Sequence, residues 1–356
     1  TALLKRLVLK RCVYGVDLSP MGAEIAKVSL WLASFVPGLS LAYLDHNVQV
    51  GNSLIGVARP EQVARADGQA TLFDQDISDA LQGAAQAAAE QRAIEDRTPE
   101  EVEASKRADA DLRSTVLGVE RVFDFWTAEP LGLLGAREEA LQRGSAIIDD
   151  QDSLIADTAG DIASRERVLH WPLAFAEVFA RPNPGFDAVV GNPPWEEITV
   201  EELAFYARYQ PGLRAMAEAA RRAALEALLR KRPELLAGLA AEQARVAGQR
   251  TYFGAAGGYE GGAGDPDTYK YFCQRYREFL RDGAALGVVL PRSAFSAKGS
   301  DAFRRWLFER AAPRRIDFLL NNRSWAFDIH PQYSVGLLVA ERRKPASGEL
   351  VEGAGG

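Results

Sequence analysis

The sequence predicts an α/β fold: a parallel, helix-covered sheet with helical insertions and an antiparallel hairpin at its edge. Three observations carry this. Short apolar runs of strand length alternate with amphipathic helical stretches. Three of those runs stop at an acid, a Gly-Asn pair or an Asn-Pro pair. The last two runs follow one another with no helix between them, so they are expected to pair antiparallel.

At 356 residues the chain can hold one large domain or two smaller ones. Its 47% apolar and 26% charged content is globular. No run reaches the roughly 18 apolar residues of a membrane span, and the basic amphipathic start is not a signal peptide. Cys12 and Cys273 form no ligand cluster and no disulfide framework, which fits a reducing cytoplasm. His46, His170 and His330 are scattered, without metal spacing. The net charge of −7 is unevenly spread. Glu61 to Asp161 holds 23 acidic residues against 9 basic, and Asp265 to Lys344 holds 15 basic against 9 acidic. A phosphate-facing surface on the basic stretch is one reading; a mixed, solvated surface is the other. The chain opens at Thr1 with a helix and no preceding strand, as an excised piece of something longer would.

Residues 2–11 read as a helix with Leu3, Leu4, Leu7 and Val8 on one face. Val13 to Val16 read as a buried strand ending in the carboxylate of Asp17. Asp17 or Ser19 can cap the next helix, and Pro20 suits its first turn. That helix, residues 21–34, is expected to turn Ile25, Val28 and Leu32 inward. A strand–acid–helix unit can grip ribose hydroxyls at the carboxyl edge of a parallel sheet; the alternative is that Asp17 only caps the helix. Val48 to Val50 read as a second strand, with Gly51 and Asn52 at its edge. Residues 1–58, 166–200 and 265–343 therefore read as the sheet domain. Residues 59–165 are an acidic helical insertion, and 201–264 a second one ending in a glycine-rich flexible linker. The linker lacks the P-loop lysine and is not a phosphate cradle. Residues 344–356 read as a disordered tail.

The run Ala188 to Val190 reads as a buried strand that ends in Gly191-Asn192-Pro193-Pro194-Trp195. This suits a planar amine held at a sheet end. The Asn192 oxygen accepts one hydrogen bond, and the Pro193 carbonyl accepts another with no N–H of its own to compete. Trp195 offers a face for a flat ring. The alternative is a strand ending in a rigid turn.

Val16-Asp17-Leu18, Gly51-Asn52-Ser53-Leu54 and Asn192-Pro193-Pro194-Trp195, in that order, make the chain resemble the S-adenosylmethionine-dependent adenine-N6 DNA methyltransferases. It is most similar to the large methylases of type IIG restriction enzymes and of the BREX and DISARM phage-defence systems. Tyr14 to Pro20 with Leu30-Trp31-Leu32, Leu44 to Asn47 with Gly51 to Gly56, and Phe327 to Tyr333 carry that closer likeness. The resemblance implies a partial Rossmann-like class I methyltransferase sheet, S-adenosylmethionine as cofactor, and double-stranded DNA with a flipped adenine as partner. Other defence-system subunits are further implied partners, in the cytoplasm and away from any membrane.

Position by position, the resemblance implies that Asp17 holds the ribose hydroxyls and Leu18 packs on the cofactor adenine. Asn52 and Ser53 lie in the segment that recognises that adenine's edge, where the family often has an acid in place of Asn52. Asn192 and the Pro193 carbonyl accept the hydrogens of the target amine, with Pro194 completing the motif. Trp195 stacks on the flipped base, and Phe327 is a candidate for its other face; the alternative for both is core packing. His330 reads either as a contact to phosphate or the base or, the favoured reading, as a structural hydrogen-bonding group. No metal and no catalytic cysteine are needed. The family's glycine-rich cofactor loop would lie upstream of Thr1, so the chain alone is expected to bind S-adenosylmethionine poorly and to be inactive. Two other readings compete: a protein-glutamine methylase, and a non-catalytic DNA-binding subunit with a degenerate methylase fold.

Overall fold

A computed structural model describes residues 2–63, 74–143, 154–256, 259–321, 325 and 334–355. Its strands form two sheets. β1 (Gly15–Asp17) and β2 (Val48–Val50) make a parallel pair, with Gly15 opposite Val48 and Asp17 opposite Val50. The other five strands are β3 (Phe186–Gly191), β4 (Leu280–Pro291), β5 (Pro313–Leu320), β6 (Ser334–Glu341) and β7 (Glu352–Gly355). Their order is β3-β4-β6-β5-β7. β3 runs parallel to β4, β6 runs antiparallel to both β4 and β5, and β7 runs parallel to β5.

The expected parallel sheet with an edge hairpin is therefore corrected on three counts. The strands divide between two sheets. The β5–β6 hairpin is antiparallel as expected, but β6 inserts between β4 and β5 and sits inside the sheet. The edge belongs to β7, from the tail expected to be disordered: the Glu352–Gly355 backbone pairs with Arg315–Phe318.

Eleven helices matter for the argument: α1 (Ala2–Cys12), α2 (Pro20–Ala33), α3 (Asp74–Ala93), α4 (Pro99–Ala128), α5 (Ala136–Arg143), α6 (Leu154–Glu166), α7 (Glu202–Ala207), α8 (Glu218–Lys231), α9 (Glu234–Thr251), α10 (Thr268–Phe279) and α11 (Asp301–Arg310). None of the helices among the described residues is long and apolar enough to cross a membrane. The acidic stretch packs against segments on either side of it, since Val57, Leu173 and Ala176 share its apolar cluster. Ile77, Leu81 and Ala84 of α3 meet Leu112, Val116, Val119, Phe123 and Trp126 of α4, all buried. Thr98 caps α4 by accepting from the Glu101 amide, with Pro99 in the first turn.

α2 reverses the expectation. Met21, Ile25, Val28 and Leu32 are exposed, Leu32 at 75%. The opposite face packs. Leu30 and Trp31 join Leu9, Ala42 and Leu44, and the buried Lys27 ammonium pairs with Asp45 and Glu24. On α1, Leu3, Leu4, Leu7 and Val8 are likewise exposed, while Leu9, Arg6 and Lys10 are buried. β3 is also less buried than expected: among the described residues it pairs only with β4, and Val190 is 86% exposed.

The glycine-rich stretch expected as a flexible linker is packed where described. A Cβ on Gly262 would lie 2.3 Å from the Tyr271 ring, and one on Gly261 3.0 Å from Trp306. At the start of β3, Gly185 combines φ of +118° with a Cβ position 2.6 Å from the Phe279 carbonyl, so only glycine lets β3 approach β4.

Candidate active site

The three motif segments line one cavity of about 970 Å³. Asp17 and Leu18 come from the end of β1, Gly51 to Leu54 from the end of β2, and Asn192, Pro193 and Pro194 from the end of β3. Trp171, Phe186 and Phe279 form an aromatic back wall, with the Trp171 and Phe279 rings 3.7 Å apart at their centroids.

Asp17 and Ser19 divide the roles that the sequence left open. Ser19 is the cap: its hydroxyl accepts from the Gly22 amide at 3.3 Å. Asp17 is exposed, and its Oδ1 accepts from the Ser19 amide at 2.7 Å. The carboxylate lies over the first turn of α2, so close that a Cβ on Gly22 would fall 2.7 Å from its Cγ. Leu18 is 53% exposed on the same rim, with its carbonyl held by Arg167.

Asn52 is engaged with the backbone around it. Its Oδ1 accepts from the Leu54 amide at 3.0 Å and the Ile55 amide at 3.3 Å, and its Nδ2 donates to the Glu166 carbonyl at 3.4 Å. The side chain thus closes a turn of its own backbone, leaving its oxygen no free lone pair for a ligand edge. Ser53 lines the cavity beside it, its carbonyl facing the Trp171 indole N–H at 3.4 Å.

Asn192 is exposed and faces the cavity, and among the described residues its amide has no hydrogen-bond partner. Pro193 is buried and Pro194 exposed, both on the wall. Gly191 is tight against α10: a Cβ there would lie 2.8 Å from the Tyr276 hydroxyl. Trp195 is not on the wall. Its ring packs against the core cluster of the larger sheet, and its indole nitrogen is buried with no hydrogen-bond partner among the described residues. The motif places the free amide in the cavity and the indole behind it. Phe327 and His330 lie outside the described residues.

The loop after the motif is strapped to the start of α10. The Ile198 amide donates to the Pro266 carbonyl at 3.0 Å, and both the amide and the hydroxyl of Thr268 donate to the Glu196 carbonyl, at 3.0 and 2.6 Å. This brings Phe272 and Tyr276, one turn apart on α10, onto the cavity wall. Arg245 and Gln249 of α9, with Phe253, complete that side. Sequence reasoning missed these five as site residues. Phe272 and Tyr276 belong to the apolar stripe of α10, which marks a packed face rather than a site, and nothing in an Ala/Leu/Arg-rich helix marks Arg245 or Gln249. Among the described residues no group of three or more His, Cys, Asp and Glu side chains could hold a metal ion.

Beneath β2, His46 is almost fully buried between Asp109 of α4 (3.2 Å) and Glu177 (2.8 Å). Tyr43 donates to Asp109 and Tyr14 to Glu177, both at 2.9 Å. Burial pushes the imidazole pKa down, but the bonds to Asp109 and Glu177 outweigh it and raise it to about 9. Both carboxyls lie below their usual range: burial opposes this, but the His46 bond overcomes it.

The chain matches the sequence pattern of a family described as Eco57I restriction-modification methylase over residues 11–215. No curated protein matches. Three solved structures are similar at low identity. One, from a study of complex assembly and conformational transition in a type I restriction-modification system, is 14% identical with a TM-score of 0.26. It covers 67% of this chain, which spans only 47% of that one. A provisionally assigned class I S-adenosylmethionine-dependent methyltransferase of Listeria monocytogenes is 9% identical with a TM-score of 0.26, covering 79% of this chain and 92% of its own. A modification subunit of a provisionally assigned type I restriction enzyme from Vibrio vulnificus YJ016 is 14% identical with a TM-score of 0.25, covering 97% and 75%.

Proposed function

Because the chain belongs to the Eco57I restriction-modification methylase family, we propose that its cavity carries out S-adenosylmethionine-dependent methylation of adenine N6 in DNA. One observation carries this reading: the strand-end acid, the Gly51–Leu54 segment and the Asn192–Pro194 motif, far apart in sequence, line the same cavity. In this reading the β1–β2 and β3–β4 pairs belong to a Rossmann-like class I methyltransferase sheet. The enzyme acts on double-stranded DNA within a restriction or phage-defence system in the cytoplasm, with other subunits of that system as partners.

The residues present fit the cofactor. The cavity's volume is in the range of small-molecule sites. Asp17 presents a carboxylate with one oxygen free of the Ser19 amide, as ribose hydroxyls require. Leu18 and Phe272 supply apolar surface for an adenine ring. The chemistry the cofactor supplies when bound is an electrophilic methyl group. The protein's share is to hold the target. An exocyclic aromatic amine is a poor nucleophile because its lone pair is delocalised into the ring. The Asn192 oxygen and the Pro193 carbonyl, placed about that nitrogen, accept its two hydrogens and favour the rehybridised form. Its lone pair then points away from the ring. This is orientation with electrostatic preorganisation, and no covalent enzyme intermediate is required. The base must leave the duplex to reach the cavity. Trp195 stacks on it in this reading once the indole turns out of its core packing.

The test is methyl transfer from labelled S-adenosylmethionine by the full-length protein to duplex DNA and to a protein extract, with N6-methyladenine read by mass spectrometry of digested DNA. Label in DNA at adenine N6 is the expected result. Label at protein glutamine, or none, overturns it.

A further inference from the structure

Behind the cavity, a buried polar cage holds the segment after β2 from outside. Arg275 of α10 is 2% exposed. It has no buried carboxylate opposite it: Glu278, at 3.1 Å, is its only acidic partner among the described residues and is partly exposed. Its guanidinium is spent on other groups. Nη2 donates to the Leu54 carbonyl at 2.6 Å and Nε to the Tyr259 hydroxyl at 2.9 Å. Tyr259 donates to that same Leu54 carbonyl at 2.6 Å. Tyr252, 3.4 Å from Arg275 Nη2, accepts from the Gly56 amide at 3.1 Å and donates to the Gly56 carbonyl at 3.3 Å. Both lone pairs of the Leu54 carbonyl are therefore taken, while the Leu54 amide is fixed by Asn52 Oδ1. The peptide groups on either side of Leu54 are held at both ends, and residues 51–54 are cavity wall.

Burying a guanidinium is costly unless every donor is used. Here that cost is met to grip the backbone of one short wall segment. The three gripping side chains lie at positions 252–275, beyond the span that matches the family. We propose that Arg275, with Tyr252 and Tyr259, is a positioning residue that sets the Gly51–Gly56 segment for cofactor binding. This rests on the reading of the cavity as the S-adenosylmethionine site.

The test uses Tyr259→Phe, which removes the hydroxyl and keeps the ring against Phe253 and Tyr271, beside Arg275→Lys and Arg275→Met, in the full-length protein. Steady-state methyl transfer is measured with cofactor and DNA varied in turn, and amide exchange is followed over residues 51–57. Tyr259→Phe should raise the cofactor KM about fivefold, with kcat and the DNA KM within about twofold, and speed exchange over 51–57. Arg275→Lys should fall between the parent and Arg275→Met in cofactor KM. An unchanged cofactor KM in Tyr259→Phe overturns the proposal. So does a proportionate loss in kcat and both KM values, which marks general destabilisation. If the parent protein transfers no methyl group, the cavity reading itself fails and the proposal falls with it, even where exchange over 51–57 quickens.

Discussion

Two asparagines sit on the rim of one cavity at the ends of two strands, and they are used differently. Asn192 presents an amide with no partner among the described residues. Asn52 has spent both ends of its amide on the backbone of Leu54, Ile55 and Glu166. The same residue type in the same kind of place is a free acceptor in one case and a turn-forming brace in the other. A strand-end asparagine therefore says little about role until the neighbouring amides are located.

The sharpest way to break this contrast is to remove each amide. Asn192→Ala removes only a cavity-facing acceptor. In the full-length protein, methyl transfer should fall about a thousandfold or more, as when a preorganised electrostatic contact is lost, with the melting temperature within about a degree of the parent and cofactor binding retained. Retained turnover would remove Asn192 from the chemistry.

The next effect tests the third rim group. A Cβ on Gly22 would fall 2.7 Å from the Asp17 carboxylate, so Gly22→Ala must displace it. The cofactor KM should rise about tenfold, with kcat nearly unchanged, because the loss is in uniform binding. Stability should hold or improve, since alanine is favoured over glycine in a helix by about 1 kcal/mol. A lower melting temperature with an unchanged KM would make Asp17 a structural acid.

Asn52 should respond more mildly and in a telling pattern. Asn52→Asp keeps the acceptor for the Leu54 and Ile55 amides and should bind cofactor within about twofold of the parent. Asn52→Ala removes the turn and should lose about fivefold, with faster amide exchange over 51–56. Equal losses in both variants, read by calorimetry, would show that the amide meets the ligand directly.

How far the sequence reaches can be judged residue by residue. The three motif segments were legible because strand-end acids, amides and prolines leave a local signature. Helical periodicity alone points the wrong way for α2. Ile25, Val28 and Leu32 form a clean stripe, yet the structure packs the face with Ala23, Lys27, Leu30 and Trp31. A stripe records that a face is apolar, and only tertiary contacts record what lies against it. Insertion of β6 between β4 and β5 and recruitment of the tail as β7 depend on long-range pairing, which has no local signal. The partners of Asn52 are silent in the sequence for a related reason: they are amides two and three residues on, reached only once the turn is formed.

The smallest effect concerns His46, a brace like Asn52 but ionised and deep. Asp109 on the acidic insertion and Glu177 hold it charged, with Tyr43, Tyr14 and Arg113 completing its surroundings. Its folded pKa of about 9 lies above the unfolded value of about 6.5. The stability this contributes, on the order of 3 kcal/mol by linkage, is complete below about pH 6.5. It is lost as pH rises through about 9. The lowered carboxyls act at the other end: their contribution is present above the usual carboxylate range and fades as pH falls through their depressed values. Unfolding free energy from denaturant titration should therefore be flat between the carboxylate range and about pH 6.5 and decline towards pH 9. His46→Gln should remove the alkaline slope. An alkaline slope that persists in His46→Gln would place the titrating group elsewhere.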